Sequence, residues 1–74
     1  MEEKFFSKLK EVLEIDDRDL LSTDRFRDYD EWNSLAFLSL IAMIDEEYDL
    51  IIEGKDFEQL KTVGDIIEAI KSQQ

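Results

Sequence analysis

The middle of the chain carries apolar residues at the spacing of an α-helix, and this pattern constrains the fold more than any other feature. At about 100° per residue, one group of side chains in segment 34–48 shares a single face of such a helix. This inner stripe consists of Phe37, Leu40, Ile41, Ile44 and Tyr48. A second group, the outer stripe, lies more than about 90° from the centre of the first. It consists of Leu35, Leu38 and Ala42.

A helix that is apolar on two faces is either buried on both sides or presents one face to another molecule. In a chain of 74 residues there is little protein to cover both faces. We therefore expect the inner stripe to enter the core and the outer stripe to be offered to a partner.

Three further segments are predicted to be helical. Segment 2–15 has apolar residues on one side and charged residues on the other, segment 56–60 is a short helical piece, and segment 62–71 starts with a capping-box-like Thr-Val-Gly-Asp. Residues 72–74 are expected to fray. Because the chain has no Pro and no alternating strand pattern, we predict an all-α fold, a small four-helix bundle with three longer helices and one short one.

Segment 16–33 has no sustained apolar period and is rich in Asp, Ser and Thr, which favours a long loop with a short turn near residues 18–21. A loop of this length in so small a domain is usually functional, or else it marks an error in the assigned elements. It joins the first predicted helix to the second.

The amino-acid composition restricts the chemistry that the chain can perform alone. With no Cys and no His it lacks a thiolate nucleophile, the usual base near neutral pH and the commonest metal ligands. Carboxylates need a shielded pocket to act as acids or bases, and we expect one domain, residues 1–74, with a single modest core. We therefore expect no catalytic residue, no metal site and no enzymatic activity.

Acidic residues give the chain a formal net charge of −11. This charge repels nucleic acid and anionic membranes and favours a protein partner with a basic surface. Between Arg27 and Lys55 there are eight acids and no base. The eight are Asp28, Asp30, Glu31, Asp45, Glu46, Glu47, Asp49 and Glu53. Judged alone, this run is equally consistent with a solvated surface and with a docking site.

Targeting signals are not evident in the sequence. The N-terminal residues lack the basic and apolar regions of a secretory signal, and no stretch approaches the roughly 18 apolar residues of a membrane span. We therefore expect a cytoplasmic protein with no membrane span. Separately, we expect the protein to be a monomer.

One hydroxyl, that of Ser34, lies at the predicted start of the second helix. Backbone N–H groups at this position lack partners within the helix, and the positive end of the helix dipole lies there. A phosphate ester on this oxygen would therefore be electrostatically favoured. Ser34 is therefore a candidate attachment point. The local pattern alone favours a simpler role, in which Asn33 or Ser34 merely caps the helix.

Three stretches follow one another along the chain in a characteristic order. These are Trp32-Asn33-Ser34-Leu35, Ile44-Asp45-Glu46-Glu47-Tyr48-Asp49-Leu50 and Leu60-Lys61-Thr62-Val63-Gly64-Asp65-Ile66-Ile67. In this order they resemble the acyl carrier proteins, a family of phosphopantetheine-binding carriers. The resemblance covers nearly the whole chain and rests on order and spacing more than on any single motif. It implies that Ser34 carries 4′-phosphopantetheine through a phosphodiester, installed by a phosphopantetheinyl transferase that uses coenzyme A and magnesium.

By this resemblance, the thiol of the phosphopantetheine arm holds acyl intermediates as thioesters and delivers them to enzymes of lipid, polyketide, peptide or other specialised biosynthesis. The thiol of this cofactor explains how a chain without Cys or His takes part in acyl chemistry. The resemblance also implies an interior groove, lined by Leu40, Ile41 and Ile44, that would shelter an acyl chain, although such stripes ordinarily form only core.

The resemblance places partner docking on the second helix. Asp45, Glu46 and Glu47 occupy acidic positions of the family, whereas Ala36 and Ser39 stand where many members carry acids. We therefore expect the outer stripe to supply more of the contact, beside the three acids, to partner enzymes with basic or apolar docking surfaces. This favours a stand-alone carrier of a specialised pathway.

Two residues before the serine depart from the family pattern. Asn33 stands where the family usually has Asp; Asn caps a helix equally well, but the lost anionic oxygen is expected to weaken the magnesium contact during transfer. Trp32 is bulky for its position, and we expect it to pack across the loop onto the bundle rather than to shield the base of the arm. A second hypothesis therefore stays open, an acidic helical interaction module of the same fold that is not phosphopantetheinylated.

Overall fold

The computed structural model describes residues 2–73 and contains four α-helices in that range. They are α1 (Glu2–Leu13), α2 (Ser34–Tyr48), α3 (Gly54–Phe57) and α4 (Val63–Ser72), with a 3-10 turn at Phe26–Asp28. No strand occurs among the described residues. The predicted all-α architecture of three longer helices and one short helix is therefore confirmed. None of these helices is long and apolar enough to cross a membrane.

The first helix ends two residues before its predicted end at residue 15. Glu14 adopts a left-handed backbone conformation with φ 57°, and its N–H donates to the Glu11 carbonyl at 3.2 Å. The N–H of Ile15 reaches back to the Lys10 carbonyl at 2.9 Å. This paired reversal satisfies the last carbonyls of the helix and turns Ile15 into the core, where it is buried.

The later helices match the predictions with small shifts. α2 has the predicted bounds and is followed by Asp49 in a left-handed conformation, φ 53°. α3 lies two to three residues earlier than the predicted segment 56–60, because the Glu53 carbonyl accepts the N–H groups of Asp56 and Phe57. The turn expected near residues 18–21 lies slightly later, at residues 21–24, where the N–H of Asp24 donates to the Leu21 carbonyl at 3.0 Å, and the 3-10 turn at Phe26–Asp28 follows it.

The start of α4 confirms the predicted capping box. The hydroxyl of Thr62 accepts the N–H of Asp65 at 3.2 Å, and the Asp65 carboxylate accepts the N–H of Thr62 at 3.1 Å. The helix runs through Ser72, which was expected to fray, while Gln74 lies outside the described residues.

The core combines residues of all four helices with three from the long loop. In chain order, the buried residues are Phe5, Leu9, Leu13, Ile15, Leu20, Phe26, Ala36, Leu40, Met43, Ile44, Phe57, Val63, Ile66, Ile67 and Ile70. From the inner stripe, Leu40 and Ile44 are fully buried, as predicted. Ala36 and Met43, which belong to neither predicted stripe, are also buried because α1 packs against that side of α2.

The long loop supports the start of α4. The N–H of Val63 donates to the Asp24 carbonyl at 3.0 Å, and the N–H of Gly64 donates to the Ser22 carbonyl at 2.8 Å. The Tyr29 hydroxyl donates to the Asp24 carboxylate at 2.7 Å, and burial together with this bond raises the pKa of Tyr29. The length of the loop therefore has a structural reason, since it bridges α1, α2 and the first turn of α4.

Candidate functional site

Ser34 is the first residue of α2, and its side chain is exposed. The helix is capped by its neighbour, because the Asn33 side-chain oxygen accepts the N–H of Ala36 at 2.8 Å. Of the two capping residues that the sequence left open, the structure selects Asn33. The Ser34 hydroxyl is thus not used as the cap and lies exposed at the N-terminal end of α2.

The N-terminal end of α2 favours an anion. The geometry of a helix leaves the N–H groups of Ser34 and Leu35 without partners in the ladder, and the first turn contains no acidic side chain that would offset the positive end of the dipole. A phosphate oxygen held at this end would be stabilised by about 0.3–1 kcal/mol. The arrangement therefore suits a phosphodiester on the serine oxygen.

An ion pair holds the segment just before the serine. The Arg18 guanidinium donates to both carboxylate oxygens of Glu31, at 2.8 and 3.2 Å, and lies over the Tyr29 ring at 5.4 Å. The hydrogen bonds from Arg18 hold the pKa of Glu31 below its ordinary value. Glu31 was counted in the acidic run, but the structure pairs it and so reduces the negative charge close to Ser34.

Four aromatic rings pack together beside the start of α2. We call this group the aromatic cluster; it consists of Phe26, Trp32, Phe37 and Phe57. Trp32 lies parallel to Phe57, with 9° between the planes and 6.2 Å between the centroids, and meets Phe26 edge-on at 5.0 Å. The prediction that Trp32 packs across the loop onto the bundle is confirmed.

Arg27 covers the aromatic cluster. Its guanidinium lies 4.8 Å from the ring centre of Phe26 and 5.1 Å from that of Phe57. It also donates to the carbonyl of Phe57 at 3.0 Å and to the carbonyl of Leu60. These carbonyls lie at and just beyond the end of α3, so Arg27 ties the long loop to this short helix.

Two neighbouring clefts lie along the junction of α1 and α2, the first of them at the end near Ser34. The first, about 310 Å³, is lined by Glu11, Val12, Leu13, Glu14, Glu31, Asn33, Leu35, Ala36 and Ser39. The second, about 440 Å³, shares Glu11, Val12 and Ser39 and continues to Glu46 and Glu47. The groove expected from Leu40, Ile41 and Ile44 is neither of these clefts, and Leu40 and Ile44 are fully buried in the core.

The predicted docking residues fall into two groups. Leu35 and Leu38 are 72% and 62% exposed, which is unusual for leucine and agrees with the outward direction predicted for the outer stripe. The rest of the exposed group consists of Ala42, Asp45 and Glu46. Glu47 differs, because it is half-buried and bridges to Lys4 at 3.1 Å and Lys8 at 3.8 Å on α1. These lysines lower the pKa of Glu47.

The sequence did not point to Arg18 or Arg27 as residues of this region. Arg18 meets Glu31 across 13 residues, and Arg27 meets α3 and its end across 30 and 33 residues. Local periodicity carries no information about contacts at such separations. The only available signal was that each Arg stands among many acids.

Comparison with known proteins agrees with this geometry. Residues 3–70 match the family model described as "Phosphopantetheine attachment site". An acyl carrier protein of Clostridium perfringens is 35% identical over 69 residues, which cover 88% of this chain and 91% of that protein.

Solved structures show the same fold. A candidate acyl carrier protein of Mycobacterium tuberculosis superposes with a TM-score of 0.85 at 26% identity, covering 99% of this chain and 97% of that one. A holo acyl carrier protein of Geobacter metallireducens superposes with a TM-score of 0.82 over 95% of this chain and 80% of that one. At 23% identity this second likeness concerns the fold alone.

The matched family implies a covalently bound 4′-phosphopantetheine as cofactor, and its members are carriers that work with partner enzymes. The match extends over nearly the whole chain and includes the exposed serine at the start of α2. The chain therefore belongs to the acyl carrier protein family.

Proposed function

We propose that Ser34 is the residue that carries 4′-phosphopantetheine, and that residues 1–74 act as one monomeric carrier domain that presents acyl groups to partner enzymes and performs no catalysis itself. The observation that carries this proposal is the position of the Ser34 hydroxyl, exposed at an acid-free helix N-terminus whose cap is supplied by Asn33. The serine lies inside the segment that matches the family.

The residues around Ser34 fit the group. The free N–H groups at the start of α2 favour the phosphodiester, and the Arg18 pair reduces the repulsion from Glu31. When bound, 4′-phosphopantetheine supplies a thiol that holds acyl groups as thioesters, which replaces the Cys that the chain lacks. The chain itself fixes the base of the arm on a rigid helix.

The docking surface for partner enzymes is the exposed side of α2. In this proposal the outer stripe supplies an apolar strip, and Asp45 and Glu46 supply charge toward basic residues of the partner. Glu47 contributes less, because Lys4 and Lys8 already neutralise it. The partners are a phosphopantetheinyl transferase, with coenzyme A and magnesium, and acyl-transferring enzymes of a specialised biosynthetic pathway.

A loading experiment tests the attachment site. The protein is incubated with coenzyme A, magnesium and a broad-specificity phosphopantetheinyl transferase, and its intact mass is measured. We expect a gain of one phosphopantetheine, which Ser34→Ala abolishes and which Ser7→Ala, a matched change at an exposed serine of α1, leaves intact. An unchanged mass of the parent protein would instead support the acidic interaction module of the same fold.

A further inference from the structure

Resting on the proposed attachment at Ser34, we propose that this carrier keeps its cargo outside the helical bundle, and that the cargo is a short or polar acyl group. The aromatic cluster supports this proposal, because its rings fill the space between the start of α2 and α3, directly beside the proposed attachment point of the arm. A long alkyl chain is stabilised by a protein only if it is buried away from water. The presence or absence of a buried site therefore determines which acyl groups suit the carrier.

The cluster closes the route from the serine into the bundle. Trp32 precedes Ser34 by two residues and Phe37 follows it by one helical turn. Both rings contact Phe57 of α3, at 6.2 Å and 5.1 Å between centroids, and Phe26 fills the space behind at 5.4 Å from Phe57. Phe26 and Phe57 are 0% and 2% exposed, so these two rings pack without solvent between them, and the half-buried Trp32 and Phe37 cover them on the side of α2.

Opening this route requires more than a side-chain rotation. Arg27 lies over Phe26 and Phe57 and donates to carbonyls at the end of α3, so moving Phe57 outward breaks these contacts together. Inserting methylene groups into a well-packed core without such movement forces strained rotamers and backbone shifts. The sequestered state is therefore disfavoured relative to the closed cluster.

The clefts on the surface offer an alkyl chain little alternative burial away from water. The cleft beside Ser34 carries the exposed carboxylates of Glu11 and Glu14 on its rim, next to which apolar carbon gains little. A third cleft, about 280 Å³, is lined by Leu50, Ile51, Ile52, Glu53, Asp56, Leu60, Ala69 and Gln73. It begins beyond the far end of α2, whose 15 residues span about 22 Å.

The proposal is tested on the loaded protein. Acetyl and octanoyl forms are made by giving the transferase acetyl or octanoyl coenzyme A, and hydrolysis of each thioester is compared with that of the same thioester on free pantetheine. A chain that spent half its time inside the bundle would be protected about twofold. We expect octanoyl protection below this value, and we expect the acetyl and octanoyl forms to have equal Tm and equal Trp32 fluorescence. Protection of octanoyl beyond twofold, with a raised Tm, would overturn the proposal.

A variant identifies the cluster as the cause. Phe57→Ala removes the central ring and should protect the octanoyl thioester from hydrolysis more than twofold, while the acetyl thioester stays unprotected. Phe6→Ala on α1 is the matched control and should leave the protection of both thioesters as it is in the parent protein. If circular dichroism shows that Phe57→Ala does not fold, Phe37→Ala opens the same contact from the α2 side. Protection equal to that of the parent in a folded variant would overturn the role of the cluster. A failure to load any arm would instead refute the attachment at Ser34.

Discussion

The N–H of Gly64, in the first turn of α4, donates to the carbonyl of Ser22 at 2.8 Å. A Cβ built on Gly64 would lie 3.0 Å from this same carbonyl oxygen. A side chain at this position would therefore make an unusually tight contact with the Ser22 carbonyl, and the hydrogen bond fixes the long loop against the helix that completes the bundle. The position of the loop, in turn, sets the segment that leads into Ser34.

Replacing this glycine should destabilise the protein. Gly64→Ala places a methyl group against a backbone carbonyl, and we expect a loss of about 1–3 kcal/mol in the free energy of unfolding. Gly54→Ala is the matched control, because a Cβ at Gly54 would have nothing within 4 Å of it. The control should be neutral or slightly stabilising, by up to about 1 kcal/mol. Urea unfolding of the two variants provides the comparison, and equal stabilities would contradict this account.

The capping box of α4 should make the free energy of unfolding depend on pH. The N–H groups of Lys61 and Thr62 donate to the Asp65 carboxylate and hold its pKa below the ordinary value. A depressed pKa in the folded state means that the stabilisation is complete above an ordinary carboxyl pKa of about 4 and is lost as the pH falls through the folded value.

The variant Asp65→Ala isolates this effect from general charge repulsion. At pH 7 we expect it to be less stable than the parent by a few tenths to about 1 kcal/mol, given the exposure of the site. The difference should shrink when unfolding is measured near pH 3. The control Glu68→Ala removes an exposed acid from the same helix and should show no such convergence. A gap between Asp65→Ala and the parent that stays constant with pH would argue against the cap.

The guanidinium of Arg27 should hold α3 in place. Arg27→Gln loses the contact with two rings and two carbonyls, and we expect a loss of about 1–2 kcal/mol. Hydrogen exchange at the Glu58 amide, which donates to Gly54, should accelerate. Arg25→Gln removes the same charge from an exposed neighbour and should leave exchange unchanged. Equal exchange in both variants would show that Arg27 is not what retains the helix.

The residue before the serine should affect loading without affecting folding. Asn33→Asp preserves the cap and should change the free energy of unfolding by less than about 0.5 kcal/mol. If a carboxylate at this position assists the magnesium-dependent transfer, the initial rate of phosphopantetheine loading should rise. Mass spectrometry over time measures that rate, and equal rates would remove the role given to the acid.

The outer stripe should matter to partners more than to the fold. Leu38 is mostly exposed, so Leu38→Glu should change the free energy of unfolding by less than about 0.5 kcal/mol, whereas Leu40→Ala in the core should lose about 2–5 kcal/mol. The same Leu38→Glu change should reduce the transfer of acyl groups by partner enzymes. A large loss of thermal stability in Leu38→Glu would show that the face was assigned wrongly.

Much of the fold could be read from local patterns. The bounds of α2, the capping box of Thr62 and Asp65, and the burial of Leu40 and Ile44 were all predicted, because each depends on spacing within a few residues. The predicted end of α1 was wrong, because a left-handed Glu14 without a glycine signal reverses the chain there.

The amino-acid sequence by itself determined that the protein is all-helical, that it lacks a nucleophilic thiol of its own, and that one serine opens an apolar helix. Only the tertiary structure decided that Asn33 rather than Ser34 caps that helix, that Glu31 and Glu47 are paired, and that four rings close the space beside α3. The physical reason is distance along the chain. Periodicity and capping are local, whereas ion pairs and ring packing join residues that are far apart along the chain, such as Lys4 with Glu47, and exist only once the loop and helices have been brought together.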